Sequence, residues 1–227
     1  MNEIIRSLYE RKSVRVFEER PIPAECKKEI LLSAMQAPTA GNQQLYTILD
    51  ITDQELKDKL SVSCDNQPFI AKAPLVLIFC ADVLKWFDVF KEGGADPREP
   101  GCGDLILAID DALIAAQNTV VAAESLGIGS CYIGDIMEQC ELHRKMLRLP
   151  EYVFPAAMLV YGYPTSKRRG LSQNDADWKI WYRKIIIRKG MDSSCGICLI
   201  KRRKTEVLRN GVRHFVRENI ILIFQKR

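Results

Sequence analysis

Basic and hydroxyl side chains alternate near the start of the chain, in a pattern that suits an anionic ligand. Arg11, Ser13 and Arg15 are separated by single residues, and Lys12 lies between the first two. In an extended segment these three side chains would point to one side. Arginine presents a planar fork of donors that matches phosphate oxygens. The alternative from charge alone is a solvated basic turn.

Two further segments are rich in small residues. Residues 37–44, Ala-Pro-Thr-Ala-Gly-Asn-Gln-Gln, predict a turn through which backbone can approach a planar ligand closely. Residues 126–134, Leu-Gly-Ile-Gly-Ser-Cys-Tyr-Ile-Gly, place their glycines after a helix and not between a strand and a helix. They are therefore not a Rossmann phosphate loop. Each segment alone also fits an ordinary connection between a helix and a strand.

The hydrophobic pattern indicates strands that alternate with helices, and therefore an α/β or α+β fold. A continuous apolar run at 74–80 predicts a strand buried on both faces. A helix at 104–126, with Asp104 as N-cap and Gly127 as C-cap, is apolar on most sides. We expect it at the centre of the fold, shared with a partner chain. The other predicted elements are helices at 2–10, 23–37, 53–60 and 137–147, and strands at 45–51, 128–133 and 156–161.

The composition excludes several classes of protein. The chain has 227 residues, of which 47% are hydrophobic and 27% charged, so it is neither disordered nor fibrous. No apolar run reaches the roughly 18 residues that a membrane span needs, and the first residues lack the apolar stretch of a secretory signal peptide. Eight scattered cysteines without such a signal favour reduced thiols. We therefore expect a cytoplasmic protein without a membrane partner.

Charge divides the chain into two predicted parts. Residues 166–227 hold 17 Lys and Arg against 5 Asp and Glu, a net charge of +12. Residues 1–165 hold 16 basic and 24 acidic residues, a net charge of −8. So abrupt a change favours a folded domain at 1–165 and a separate basic C-terminal tail at 166–227.

In their order and spacing, the segments at 11–17, 37–44 and 126–134 together resemble the nitroreductase family of FMN-dependent NAD(P)H oxidoreductases. The resemblance runs from about residue 3 to residue 165. It implies an α+β fold with a mixed sheet flanked by helices, in an intertwined homodimer with FMN at the subunit interface. Supporting matches are Gln-Pro-Phe-Ile-Ala-Lys-Ala-Pro at 67–74, Asp-Asp-Ala-Leu-Ile-Ala-Ala-Gln-Asn at 110–118 and Tyr-Gly-Tyr-Pro at 161–164.

The resemblance also implies which residues bind FMN. Arg11 and Ser13 would bind the phosphate and ribityl end, and Lys12 belongs to the same binding segment. Arg15 would lie near N1 and O2 of the flavin, where a fixed cation stabilises the negative charge of the reduced ring. The remaining implied contacts are Pro38, Thr39, Ala40 and Asn42 from the second subunit, Gln67 at the pyrimidine edge, and the backbone of Ile133 and Gly134 near N5.

The activity implied by the resemblance is hydride transfer from NADH or NADPH, through FMN, to a nitroaromatic, quinone or similar planar acceptor. Because FMN carries the redox chemistry, we expect no indispensable catalytic side chain and no metal. His143, on a charged helix, is expected at the surface. Two alternatives remain open: a flavin-binding protein with little turnover, and a non-functional variant whose C-terminal arm is disrupted.

The segment after Thr165 departs from the family pattern, and three interpretations of the tail remain. It is an out-of-frame product, a divergent dimer arm, or a binder of nucleic acid or acidic membrane through the basic cluster at 201–204. We expect no nucleic-acid partner, because a short basic cluster is usually a solvated patch. Cys195 and Cys198 have zinc spacing but no second ligand pair, so no metal is assigned to them.

Overall fold

The computed structural model describes residues 1–165. The predicted tail at 166–227, with Cys195, Cys198 and the basic cluster at 201–204, lies outside the described residues. Helices and one four-stranded sheet alternate along the described part, so the α+β class is confirmed. The helices are α1 (Glu3–Glu10), α2 (Ala24–Met35), α3 (Gln54–Ser63), α4 (Phe69–Lys72), α5 (Leu84–Glu92), α6 (Cys102–Ser125), α7 (Asp135–Glu138) and α8 (Cys140–Met146), and the strands are β1 (Tyr46–Asp50), β2 (Leu75–Asp82), β3 (Gly129–Ile133) and β4 (Val153–Gly162).

The sheet has the strand order β1-β2-β4-β3, and all three pairings are antiparallel. Every residue of β2 is buried, which confirms the strand predicted from the apolar run at 74–80. Leu77 and Phe79 belong to the core cluster that includes α2 and α6, while Val76 and Ile78 belong to the cluster that includes α3, α4 and α7. The two faces of the sheet therefore each carry a layer of helices.

The central helix α6 packs on the sheet through small side chains. Its buried residues include five alanines, which let the helix axis approach the strands closely. This helix is also long and apolar enough to cross a membrane by length and composition. A core helix has the same composition, and the buried alanine face marks α6 as one. Apolar side chains on its other faces are 37–55% exposed; they are Ile106, Leu107, Leu113 and Ile114.

Side-chain caps and a glycine mark several helix ends. Asn2 and Asp53 accept hydrogen bonds from the backbone N–H groups of Ile5 and Leu56, so both act as N-caps. Gly127 follows α6 with a φ of +72°, a conformation that favours glycine. The N-cap prediction for α6 is wrong by three residues: Gly101 is the N-cap, and Asp104 lies inside the first turn, where its carboxylate accepts from the Gly101 N–H at 2.8 Å.

The sequence pattern does not predict two of the helices, and it predicts one continuous helix where the structure has two. Helices α4 and α5 occupy segments for which the sequence pattern predicted no helix. The helix predicted at 137–147 is divided into α7 and α8, with the break at Gln139.

Candidate functional site

The segment at 11–17 crosses the end of the sheet where β3 begins and β4 ends. Ser13 forms a parallel bridge with Ser130, and the Val14 N–H donates to the Ser130 carbonyl at 2.9 Å. Phe17 forms an antiparallel bridge with Pro164 further along. Backbone contacts thus hold the basic segment against the sheet, and they fix the positions from which its polar side chains extend.

Two glycines make this crossing possible. Gly129 and Gly162 face each other in the β3–β4 pairing. A Cβ at Gly129 would lie 2.4 Å from Val14 Cγ2, and a Cβ at Gly162 would lie 2.6 Å from Phe17 Cδ1. Because such distances are shorter than real contacts, any larger residue at either position would push the segment off the sheet.

Arg11 lies close enough to α6 and β3 to affect the ionisation of their side chains. Burial raises the pKa of Glu124, and the positive charge of Arg11 opposes that rise. Burial also raises the pKa of Tyr132 to about 12, again opposed by Arg11. Arg11, Lys12 and Ser13 are partly buried. Arg11 therefore sits beside the C-terminal end of α6, close to the crossing of the sheet.

Arg15 extends from the same segment into an open groove of about 910 Å³. Its guanidinium carbon is 6.0 Å from the centre of the Phe69 ring, on α4. Its side chain is exposed, and Lys72 and Arg20 also line the groove. Arg20 lies 4.0 Å above the Tyr163 ring and is held there by a cation–π contact. The groove therefore combines cationic and aromatic side chains.

Gln67 joins the α3–α4 connection to the end of β3. Its Nε2 donates to the Cys64 carbonyl at 2.9 Å and to Asp135 Oδ2 at 3.0 Å. Asp135 directly follows Gly134, the residue after β3. Both side-chain N–H groups of Gln67 are thereby used, which leaves its side-chain oxygen as the atom that it can offer to a ligand.

The end of β3 is open on one side. Ile133 is buried at 2% exposure, whereas Gly134 is exposed, and a Cβ built on Gly134 meets no heavy atom within 4 Å. Its φ of −77° is available to any residue. Packing within the described residues therefore does not require glycine here. Gly129 and Gly134 are five residues apart, about 17 Å along a strand.

The small-residue turn at 38–42 is organised from α6. Asp111, 3% exposed, accepts hydrogen bonds from the Ala40 N–H at 3.0 Å and the Leu45 N–H at 3.2 Å. Thr39 Oγ1 accepts from the Gln44 N–H at 3.2 Å. A 3₁₀ turn at Ala40–Asn42 follows, in which Gly41 and Asn42 both have a φ of +55°. Pro38 and Asn42 are exposed beside it.

Asp111 is the site residue that sequence reasoning missed. It stands in the 110–118 motif, but a charged residue within a helix suggests a solvent-facing position. Its role also depends on a turn about 70 residues away in the sequence. The sequence feature that indicates a buried position is an aspartate among alanines on the most apolar helix. A buried carboxylate needs hydrogen-bond donors, and a tight turn supplies free N–H groups.

The predicted site residues therefore form two groups that lie near opposite parts of α6. The turn at 38–42 is bound to Asp111, whereas Arg11 lies beside Glu124. Thirteen residues of helix separate these two positions, which corresponds to about 20 Å. Arg11 and Ser13 lie beside β3, Gln67 and Gly134 lie at its end, and Arg15 lies in the groove beside Phe69. The turn at 38–42 is not part of that group within one chain.

The prediction that His143 lies at the surface is wrong. The ring is fully buried, with Nδ1 2.8 Å from the Ile136 carbonyl and Nε2 2.9 Å from Ser63 Oγ. The charged neighbours Glu141 and Lys145 occupy the exposed face of α8, so the charge of the helix says nothing about the opposite face. Within residues 1–165 there is no cluster of three His, Cys, Asp or Glu side chains suited to a metal ion.

Residues 8–163 match the model of the nitroreductase family. The chain is 33% identical over 168 residues to a Bacillus subtilis protein named FMN reductase (NADPH), covering 73% of this chain and 68% of that protein. It is 34% identical over 169 residues to another B. subtilis protein, FMN reductase [NAD(P)H], covering 74% and 68%.

A solved structure agrees with this assignment. B. megaterium NfrA2 superimposes with a TM-score of 0.77 at 32% sequence identity, covering 85% of this chain and 78% of that chain. The chain belongs to the nitroreductase family.

Proposed function

We propose that the protein is an FMN-dependent oxidoreductase that takes hydride from NADH or NADPH and passes electrons to a nitroaromatic, quinone or similar planar acceptor. Family membership supports this, as do relatives named for FMN reduction with NADPH or NAD(P)H. The observation that carries it is the basic segment held across Gly129 and Gly162, at the start of the strand that Gly134 follows.

The described residues fit FMN. The cations and the hydroxyl of the basic segment lie near the start of β3, and the unfilled space lies beside Gly134 at its end. The two features lie at opposite ends of β3, as an elongated cofactor with its phosphate at one end and its ring at the other requires. A Cβ at Gly134 would meet no heavy atom within 4 Å, so a ring can lie flat against the backbone here.

Each residue of the basic segment has a distinct task in this proposal. Arg11, Lys12 and Ser13 bind the phosphate and the ribityl chain through charge-assisted hydrogen bonds. When bound, FMN supplies the two-electron redox chemistry. Arg15 places its guanidinium at the N1–C2 edge of the ring, where it stabilises the negative charge that develops on reduction.

Gln67 and the end of β3 orient the ring. The side-chain oxygen of Gln67 accepts a hydrogen bond at the pyrimidine edge, because both of its N–H groups are already used. The backbone of Ile133 and Gly134 lies along N5, and the absence of a side chain at Gly134 keeps this face accessible. No side chain is needed as a nucleophile or general base.

A second copy of the chain completes the site. The turn Pro38, Thr39, Ala40, with Asn42, lies about 20 Å along α6 from Arg11, so it is offered to the flavin of the partner. The exposed apolar side chains of α6, including Leu113 and Ile114, are covered in this homodimer. Burying such side chains is a main source of free energy in permanent interfaces.

The proposal also covers the domain organisation of the chain, its cellular location and its partners. Residues 1–165 form the FMN-binding domain, and 166–227 form the atypical basic tail. The protein acts in the cytoplasm as a homodimer on a small planar acceptor, without nucleic acid, a membrane or a metal.

Absorbance and turnover test the proposal together. Purified protein is expected to show the flavin spectrum and to oxidise NADPH or NADH when a nitroaromatic is added. Arg15→Ala should slow reduction of the flavin, whereas Arg20→Ala, which changes a cation in the same groove, should not. A protein that neither carries nor takes up FMN would refute the proposal. Bound FMN without NAD(P)H oxidation would favour the flavin-binding alternative.

A further inference from the structure

The buried side chain of His143 is connected to the proposed flavin site through hydrogen bonds. Its Nδ1 is 2.8 Å from the Ile136 carbonyl, and because a carbonyl only accepts, Nδ1 carries a proton. Its Nε2 shares a hydrogen bond of 2.9 Å with Ser63 Oγ. The ring therefore links α7 to the last residue of α3, and it is fully enclosed.

Both ends of this link lead to residues proposed to touch the flavin. Ile136 is two residues beyond Gly134, in the helix that begins there. Ser63 precedes Cys64, whose carbonyl accepts from Gln67 Nε2. Gln67 then donates to Asp135 Oδ2, which closes a ring of contacts between the two connections.

A second, parallel contact strengthens the same junction. The Gln139 side chain donates to the Ser63 carbonyl at 3.0 Å, and the Gln67 N–H donates to the Ser61 carbonyl at 2.8 Å. The end of α3 is thus bound to α7 and to the break before α8. Among the described residues, His143 is the imidazole of this network, and it is fully buried together with Cys64 and Ile136.

We infer that His143 is a positioning residue that sets the distance between Gln67 and Gly134. The inference rests on the proposed function, since those two residues are proposed to hold the pyrimidine edge and N5. With both ring nitrogens engaged, the imidazole acts as a rigid spacer between α3 and α7. Removal of the ring lets the two connections move apart, and Gln67 then no longer faces the ring edge.

The test measures FMN affinity by the change in flavin fluorescence on binding to apoprotein. His143→Leu should weaken binding by about tenfold, the lower end of what loss of an outer hydrogen-bond partner costs at metal sites. His143→Asn keeps a donor near the Nδ1 position and should recover part of that loss. Met146→Ala removes packing from the same helix without touching the network, so it controls for general destabilisation of α8.

A double-mutant cycle separates positioning from simple loss of stability. If His143 acts through Gln67, then His143→Leu should have little effect on FMN affinity in a Gln67→Leu background, because interacting residues are not additive. Fully additive effects would overturn the inference, as would a His143→Leu affinity equal to that of Met146→Ala. Wild-type protein that binds no FMN would instead refute the proposed function.

Discussion

Replacement of Gly129 by alanine tests how the basic segment is held. The new Cβ would lie 2.4 Å from Val14 Cγ2, 2.8 Å from Val14 Cβ and 3.3 Å from Val14 Cγ1. Rotation of the valine cannot relieve the contact with Val14 Cβ, because that atom is fixed to the backbone. To restore about 3.4 Å, the segment must move by about 0.6 Å if the valine rotates and by about 1 Å if the valine keeps its rotamer.

The expected cost follows from that displacement. Overpacking of this kind costs about 1–3 kcal/mol, and a chain of this size loses about 2–4 °C in Tm for each kcal/mol. The same movement shifts Ser13 and Arg15 relative to the proposed flavin site. A misplacement of about 1 Å can cost on the order of 100-fold in rate. We therefore expect a modest fall in Tm and a large fall in flavin reduction by NADPH.

A second substitution provides the control. Val14→Ala removes the contacts at 2.4 and 3.3 Å and leaves the one at 2.8 Å, so the double variant should recover part of both losses. Tm would be measured by differential scanning calorimetry, and flavin reduction by stopped-flow absorbance. Gly129→Ala protein with wild-type Tm and wild-type flavin reduction would refute the reasoning.

Three further predictions concern other parts of the site. Gly134→Ala should leave Tm within about 1 °C of the wild-type value, because its Cβ meets no atom of the described chain. FMN affinity measured by fluorescence should nevertheless fall. Unchanged affinity would argue against a ring at this position. Asp111→Ala leaves the Ala40 and Leu45 N–H groups without their acceptor, so urea unfolding should show a loss of about 2–5 kcal/mol, and a loss below 1 kcal/mol would contradict the assigned role. The Arg98 guanidinium and the Gly101 N–H hold the pKa of Asp104 at about 2, below its usual 3.8. The ionised carboxylate therefore stabilises the folded state above pH 4, and this contribution disappears as the pH falls towards 2. Asp104→Asn should therefore lower the urea midpoint at neutral pH by a small amount, because Arg98 is largely exposed, and a difference that persists at pH 2 would contradict this.

The sequence predicts the fold where hydrophobic periodicity is strong. The buried strand at 74–80 and the central helix follow from local patterns. These patterns involve residues that are close together in the chain, so a single sequence is enough to recognise them. Helix α5 was missed although Val83, Trp86, Phe87 and Phe90 recur at helical spacing, so its apolar face was a signal present in the sequence.

The missing parts of the site depend on contacts between distant residues. Asp111 and His143 are polar residues on helices, and nothing next to them in sequence reveals the N–H groups or the carbonyl that they meet. Gly129 and Gly134 look alike in the sequence, yet one is required by Val14 and the other faces open space. Only the packing of the segment at 11–17 on the sheet separates their roles.

The central claim is that each flavin site is built from two chains. It is tested most directly by co-expressing an Arg11→Ala chain and an Ala40→Trp chain with different affinity tags, and by measuring FMN in the purified heterodimer. Each homodimer would have two damaged sites. The heterodimer would have one site carrying both changes and one intact site. The account predicts about one FMN per heterodimer and little in either homodimer, whereas a heterodimer as empty as the homodimers would contradict it.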